Sequence, residues 1–102
     1  MISGLKWVFI QMLDVTNTTR FKKDLKRYAL QEKIIKELDV VLKKLRIPPS
    51  KLDQKYKDHA LIGNWHTSRE CHLFPDVLLI YQINHEENLL ILERIGPHSD
   101  LF

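Results

Sequence analysis

The sequence predicts a single α+β domain in which two helices precede a mainly antiparallel sheet. Three observations carry this. Apolar residues recur at helical spacing up to Pro48-Pro49, and beyond it they alternate or run together at strand spacing. The chain has 102 residues, 44% of them hydrophobic, with only three Gly and four Pro, which sustains one core and excludes disorder and collagen-like repeats. Its one cysteine, Cys71, excludes an internal disulfide framework and reads as a small buried hydrophobe in a strand.

The elements follow in order. Met12 to Thr16 alternates and reads as a first strand, ended by Asn17. Met12 could itself be a start, which would make residues 1–11 an extension of the working domain. The apolar opening is too short to span a bilayer, carries Lys6, Gln11 and Asp14, and lacks a small-residue cleavage site, so it reads as neither anchor nor signal. Thr18 or Thr19 caps a first helix, with Phe21, Leu25, Tyr28 and Ala29 at i, i+4, i+7 and i+8. The second helix runs from about Gln31 to Arg46, with Ile34, Ile35, Leu38, Val41, Leu42 and Leu45 on one face. Pro48-Pro49 cannot continue it. The pair is a helical hairpin whose apolar stripe must bury itself on the strands that follow.

A polar connection reaches Asp58. Ser68 to Phe74 reads as a strand, Pro75-Asp76 as a turn, and Val77 to Ile83 as a central strand covered on both faces. Asn84 to Asn88 is a loop, Leu89 to Ile95 the last strand, and Gly96-Pro97 its stop. The expected order is β-α-α-β-β-β, over residues 1–102 as one domain.

Charge is unevenly distributed. Residues 20–46 hold ten Lys/Arg against four acids, a local +6, while the rest of the chain is −3. Such a basic block suits a polyanion, nucleic acid ahead of membrane. A reducing cytoplasm is the natural compartment for a chain with one thiol. The histidines lack ligand-like spacing, so no metal site and no cofactor are expected.

The chemistry sits between His59 and Asp76, with His98 beyond. Alternation in the second strand puts Cys71 and Leu73 toward the helices, and Glu70 with His72 toward solvent or a groove. Arg94 interrupts the apolar residues Leu90 and Leu92, so it needs either an ion pair, with Asp76 or Glu93, or a phosphate ligand. Histidine transfers protons near neutral pH. Cutting RNA through its own 2′-hydroxyl needs a base, an acid and a cation on the phosphate, which these residues can supply.

The run Tyr56-Lys57-Asp58-His59, Leu61, Gly63 and Trp65, then Arg69-x-x-His72, Pro75-Asp76, Leu79-Ile80-Tyr81, Glu93-Arg94-x-Gly96-x-His98 and Leu101-Phe102, resembles the YafQ branch of the RelE/ParE toxin superfamily. The likeness covers roughly Met12 to Phe102. It implies a RelE-like fold, two N-terminal helices on a curved, mainly antiparallel sheet. It also implies metal-independent, ribosome-dependent cleavage of mRNA, and inhibition by a cognate DinJ- or RelB-type antitoxin. Carried over by position, His59, His72, Asp76 and His98 would handle protons, with His98 as the acid. Arg94 would stabilise the phosphate, Phe102 would stack on bases, and Glu70 would contact substrate. Lys22, Lys23, Lys26 and Arg27 would meet ribosomal or messenger RNA. His66 and His85 match no motif position and read as surface, and Trp65 and Tyr81 as core. The chain departs from the closest pattern with Glu70 where Asp stands, Val77 where Trp often stands, and Pro97 before His98.

Two other readings remain at this level. One is a superfamily toxin that binds gyrase without catalysis, in the manner of ParE, against which the histidine cluster argues. The other is an RNA- or ribosome-binding module without chemistry, whose activity would survive histidine substitution.

Overall fold

A computed structural model describes residues 11–65 and 67–102. In chain order the elements are β1 (Asp14–Asn17), α1 (Thr19–Leu25), α2 (Glu32–Leu45), β2 (His59–Ala60), β3 (Arg69–Phe74), β4 (Val77–Asn84), β5 (Leu89–Gly96) and α3 (His98–Leu101). Single 3-10 turns lie at Lys26–Tyr28, Gln54–Tyr56 and Gly63–Trp65. The reading of residues 1–11 as an extension falls, Gln11 apart, outside the described residues, as does His66.

The strands form one sheet in the order β1-β5-β4-β3-β2. β1 runs parallel to β5 and the other pairings are antiparallel, so the sheet is mixed. Two elements escape the sequence reading, β2 and α3. At two and four residues they are too short to show a period.

Thr18 starts α1 from an extended backbone. Its hydroxyl accepts the Phe21 N–H at 3.0 Å and donates to the Glu93 carbonyl at 2.9 Å, so the helix cap also fastens α1 to β5. In α2 the buried residues are Ile34, Leu38, Val41 and Leu45, the stripe expected from spacing. Each such side chain contributes roughly 1.5–3 kcal/mol when fully buried. The stripe joins Phe21, Tyr28, Cys71, Leu73, Leu79, Tyr81, Leu90, Leu92 and Ile95 in the main core.

β4 is central, as its unbroken apolar run requires: Leu79 and Tyr81 enter the main core, and Leu78 and Ile80 the opposite face. On that second face Leu101 completes a small cluster, with Leu61 and Trp65 packed against it. This face carries the candidate site.

A β-bulge decides which residues reach it. Leu92 pairs with Tyr81 but Arg94 with Ile80, so Glu93 is an extra residue in β5. Leu90 and Leu92 point into the main core, and past the bulge Arg94 and Gly96 belong to the second face. A charged residue can therefore follow an apolar run without entering the core. Among the described residues no helix is long and apolar enough to cross a membrane.

Candidate active site

Strand register assembles the first part of the site. β2 pairs with β3 so that His59 lies opposite Glu70, and alternation puts His72 on the same face as Glu70. Glu70 Oε1 lies 3.3 Å from His72 Nε2 and 3.6 Å from His59 Nε2. The carboxylate stands between two imidazoles. His59 Nδ1 sits 2.8 Å from the Lys57 carbonyl, which can only accept, so the hydrogen is on Nδ1 and Nε2 is turned to Glu70. Of the two surroundings expected for Glu70, solvent or a groove, the structure gives a covered one: Glu70 is only 5% exposed. The reason lies in β2 and the segment after it, since Leu61 and Trp65 pack over Leu78 and Ile80, beside Glu70.

A second network fastens β2 from the other side. Asp58 receives the Arg69 guanidinium at 3.1 and 3.3 Å and the Tyr81 hydroxyl at 2.6 Å. Burial, the Asp58 hydrogen bond and its charge push the Tyr81 phenol far above its ordinary range, so it stays a donor. The sequence reads Tyr81 as core, as its burial bears out, and gives Asp58 and Arg69 no role beyond the motif. The adjacency of Asp58 to His59 and of Arg69 to Glu70 was the available signal.

Rows across the sheet connect the two ends of the site. Glu70, Ile80 and Arg94 form one row, and His72, Leu78 and Gly96 the next. Two residues past Gly96, His98 opens α3, whose Leu101 packs on Leu78 and Ile80. The His98 and Phe102 rings are 4.9 Å apart, tilted by 31°, and Trp65 meets Phe102 edge-on at 6.1 Å. Phe102 remains about half exposed. His59, His72, Glu70, Arg94, His98 and Phe102 thus share one face.

Arg94 is paired, but with neither Asp76 nor Glu93. Its Nε and Nη2 donate to Asp24 on α1 at 2.6 and 3.1 Å. Glu93, turned by the bulge, accepts from the Ser68 hydroxyl instead. Among the described residues no strand continues beyond Thr18 along this edge of β5, and Asp24 takes the Ile95 N–H at 3.1 Å. Burial opposes ionisation of Asp24, but the Arg94 and Ile95 hydrogen bonds outweigh it and lower the carboxyl's pKa. Asp76 is exposed in the β3–β4 turn, in a groove with Arg27, Lys33 and Pro97, and bonds to no histidine among the described residues.

Of the basic residues, Lys23 and Arg27 line a cleft beside Arg94, while Lys22 and Lys26 are exposed and do not. His85 is exposed in the β4–β5 turn, as expected. A cleft between the 49–58 connection and β3–β4 includes Asp58 and Arg69 but none of the site histidines.

Residues 13–102 match the family described as "Bacterial toxin of type II toxin-antitoxin system, YafQ". The chain belongs to the YafQ toxin family. It is 34% identical over 89 residues to the mRNA interferase toxin YafQ of Escherichia coli K12, covering 87% of this chain and 95% of that one. The E. coli DinJ–YafQ complex aligns with a TM-score of 0.77 at 33% identity, over 88% of this chain and 98% of that one. A metal-bound toxin from Helicobacter pylori aligns at 0.70 with 41% identity, over 89% and 100%. A YoeB/ParE toxin from Agrobacterium tumefaciens shares the fold alone, with a TM-score of 0.73 at 10% identity over 84% and 99%.

In this YafQ-family chain Cys71 is buried and its thiol is pushed well above the ordinary range, chiefly by desolvation. It is packing rather than a nucleophile. Among the described residues no three His, Cys, Asp or Glu side chains are arranged to hold a metal ion.

Proposed function

We propose that this chain is an endoribonuclease that cuts mRNA on the ribosome without a metal ion, and that a DinJ- or RelB-type antitoxin silences it in the cytoplasm. The observation that carries the reading is the shared face of His59, Glu70, His72, Arg94, His98 and Phe102. The relation to a named mRNA interferase, at 34% identity over 87% of this chain, supports it.

The chemistry needs no group from outside. A base from the His59–Glu70–His72 cluster removes the 2′-hydroxyl proton. The 2′-oxygen attacks phosphorus, and the bond from phosphorus to the 5′-oxygen breaks. His98 gives a proton to that oxygen. The product ends are a cyclic phosphate and a free 5′-hydroxyl. Two of the Arg94 N–H groups are engaged by Asp24, and the others remain to stabilise charge on the phosphate. The outward part of Phe102 stacks on a base.

The test is mRNA cleavage on programmed ribosomes with chelator present, comparing the intact chain with His98→Ala. Cleavage that survives the chelator and falls by about 10²–10⁴ in the variant, the range for general acid–base catalysis, is expected. Equal cleavage by both would move the chemistry to His59 and His72. Cleavage abolished by chelator would overturn the metal-free reading, and ribosome binding without cleavage would make the chain a binding module.

A further inference from the structure

Between α1 and β5 lies a cleft of about 330 Å³ lined by Arg20, Lys23, Asp24, Arg27 and Arg94. Its origin is legible in the sequence. Arg20, Lys23, Asp24 and Arg27 stand at i, i+3, i+4 and i+7 and so share one face of α1 and the turn that continues it. Phe21 and Tyr28 face the core, which leaves Lys22 and Lys26 on the outer side.

The cleft is not neutralised. Asp24 is taken up by Arg94, and Arg27 Nη1 pairs with Asp100 on α3 at 2.5 Å. Arg20 and Lys23 have no carboxylate within ion-pair distance among the described residues. Two held guanidinium groups and two free cations around a small concavity suit a compact tetrahedral anion, which the open fork of Arg20 can grip bidentately. The cleft also has a direction. Arg27 lines the neighbouring groove too, with Lys33, Asp76 and Pro97, the residue before His98.

We infer that this cleft binds a phosphodiester of the RNA strand, next along the backbone from the bond that is cut, with Arg94 at the border between the cleft and the scissile phosphate. The inference rests on the reading of the chain as an RNA-cleaving enzyme and deepens it. Arg27 lines both this cleft and the groove that holds Asp76, and the RNA-cleaving reading of the chain favours RNA over an acidic segment of a protein partner. It also separates two kinds of basic residue. Arg20, Lys23 and Arg27 hold a phosphate at a point, whereas Lys22 and Lys26 contribute only diffuse attraction.

The experiment titrates the isotopically labelled full chain with a short 2′-O-methyl RNA, which lacks the attacking hydroxyl, and follows the arginine side-chain N–H signals by NMR over a salt series. The Arg20, Arg27 and Arg94 signals should move together and saturate. Arg20→Gln with Lys23→Gln should weaken binding about tenfold or more and reduce the salt slope by about 1–2. Lys22→Gln with Lys26→Gln removes the same charge and should weaken it by no more than about threefold. Unchanged backbone amide spectra show that both variants fold. Equal losses in the two variants would overturn the cleft in favour of diffuse attraction. So would a cleft variant that keeps RNA affinity and loses only affinity for an acidic antitoxin peptide. A wild-type chain that binds no RNA but still cuts mRNA on programmed ribosomes would overturn the cleft and leave the enzyme reading standing. Loss of both would fell both.

Discussion

The Tyr81 hydroxyl donates a 2.6 Å hydrogen bond to the carboxylate of Asp58, the residue immediately before His59. Tyr81 lies in the fully buried middle of β4, whereas His59 is exposed on a strand of two residues. The bond therefore ties the segment carrying an exposed histidine to the buried central strand. Arg69, across β2 from Ala60, holds the same carboxylate. Asp58→Ala would leave the phenol without its partner, which costs about 1–3 kcal/mol, measurable by thermal unfolding. It would also free His59 from its position opposite Glu70. Tyr81→Phe removes one hydrogen bond but leaves Arg69 on Asp58, so it should cost less, about 1.5 kcal/mol, and keep more of the cleavage activity. Equal activity in the two variants would show that Asp58 does not position His59.

The Asp24–Arg94 pair should make stability fall in acid. The folded carboxyl sits below the ordinary value of 3.8, so its contribution is complete above that value and disappears as pH falls through the lower, folded one. Asp24→Asn loses the charge-assisted bonds, at a cost of about 2 kcal/mol at neutral pH. Denaturation midpoints of the wild type and this variant should differ at pH 7 and converge below about pH 4. A constant difference across that window would mean that Asp24 stabilises by packing alone.

Tyr56 gives the opposite sign. Burial first, then its 2.6 Å hydrogen bond to Glu37, pushes the phenol up to about 12. A folded value above the ordinary 10 means the stabilisation is complete below pH 10 and is lost as pH rises from there toward 12. Tyr56→Phe should cost about 1–1.5 kcal/mol at neutral pH. Its deficit against the wild type should shrink above pH 10, as followed by circular dichroism in urea. Because Tyr56 joins α2 to the segment entering β2, the variant should also loosen the approach to His59.

Long periodic segments were legible in the sequence because burial imposes their pattern. The α2 stripe and the apolar β4 run each point to the faces they occupy. β2 was not legible, since two residues carry no period, and its position depends on pairing with β3. The parallel partnership of β1 with β5 was hidden for a related reason: strand pairing across 70 or more positions leaves no local mark. In the site, His59, His72 and His98 were visible through the motif, but alternation left Glu70 between solvent and a groove because it cannot show what covers a face. Arg94 was visible as an anomaly. Its partner Asp24 was not, since the pairing depends on a bulge at Glu93 and on where α1 crosses the edge of β5.

Phe102 offers the last expectation, because it serves two neighbours at once. Its ring lies 4.9 Å from His98 and meets Trp65 edge-on at 6.1 Å, yet about half of it is exposed. Removing the ring in Phe102→Ala should cost little stability, about 0.5–1.5 kcal/mol for the aromatic contacts, since Leu101 still anchors α3. Catalysis should suffer more. His98 would lose the surface that fixes its ring, and the substrate base would lose its stacking partner, worth about 1–3 kcal/mol. Phe102→Leu preserves bulk beside His98 but offers no aromatic face. On programmed ribosomes the alanine variant should therefore lower kcat and raise KM, whereas the leucine variant should act mainly on KM. If both variants change KM alone, Phe102 binds RNA without orienting His98. If neither changes either constant, the exposed face of the ring is not in the RNA path.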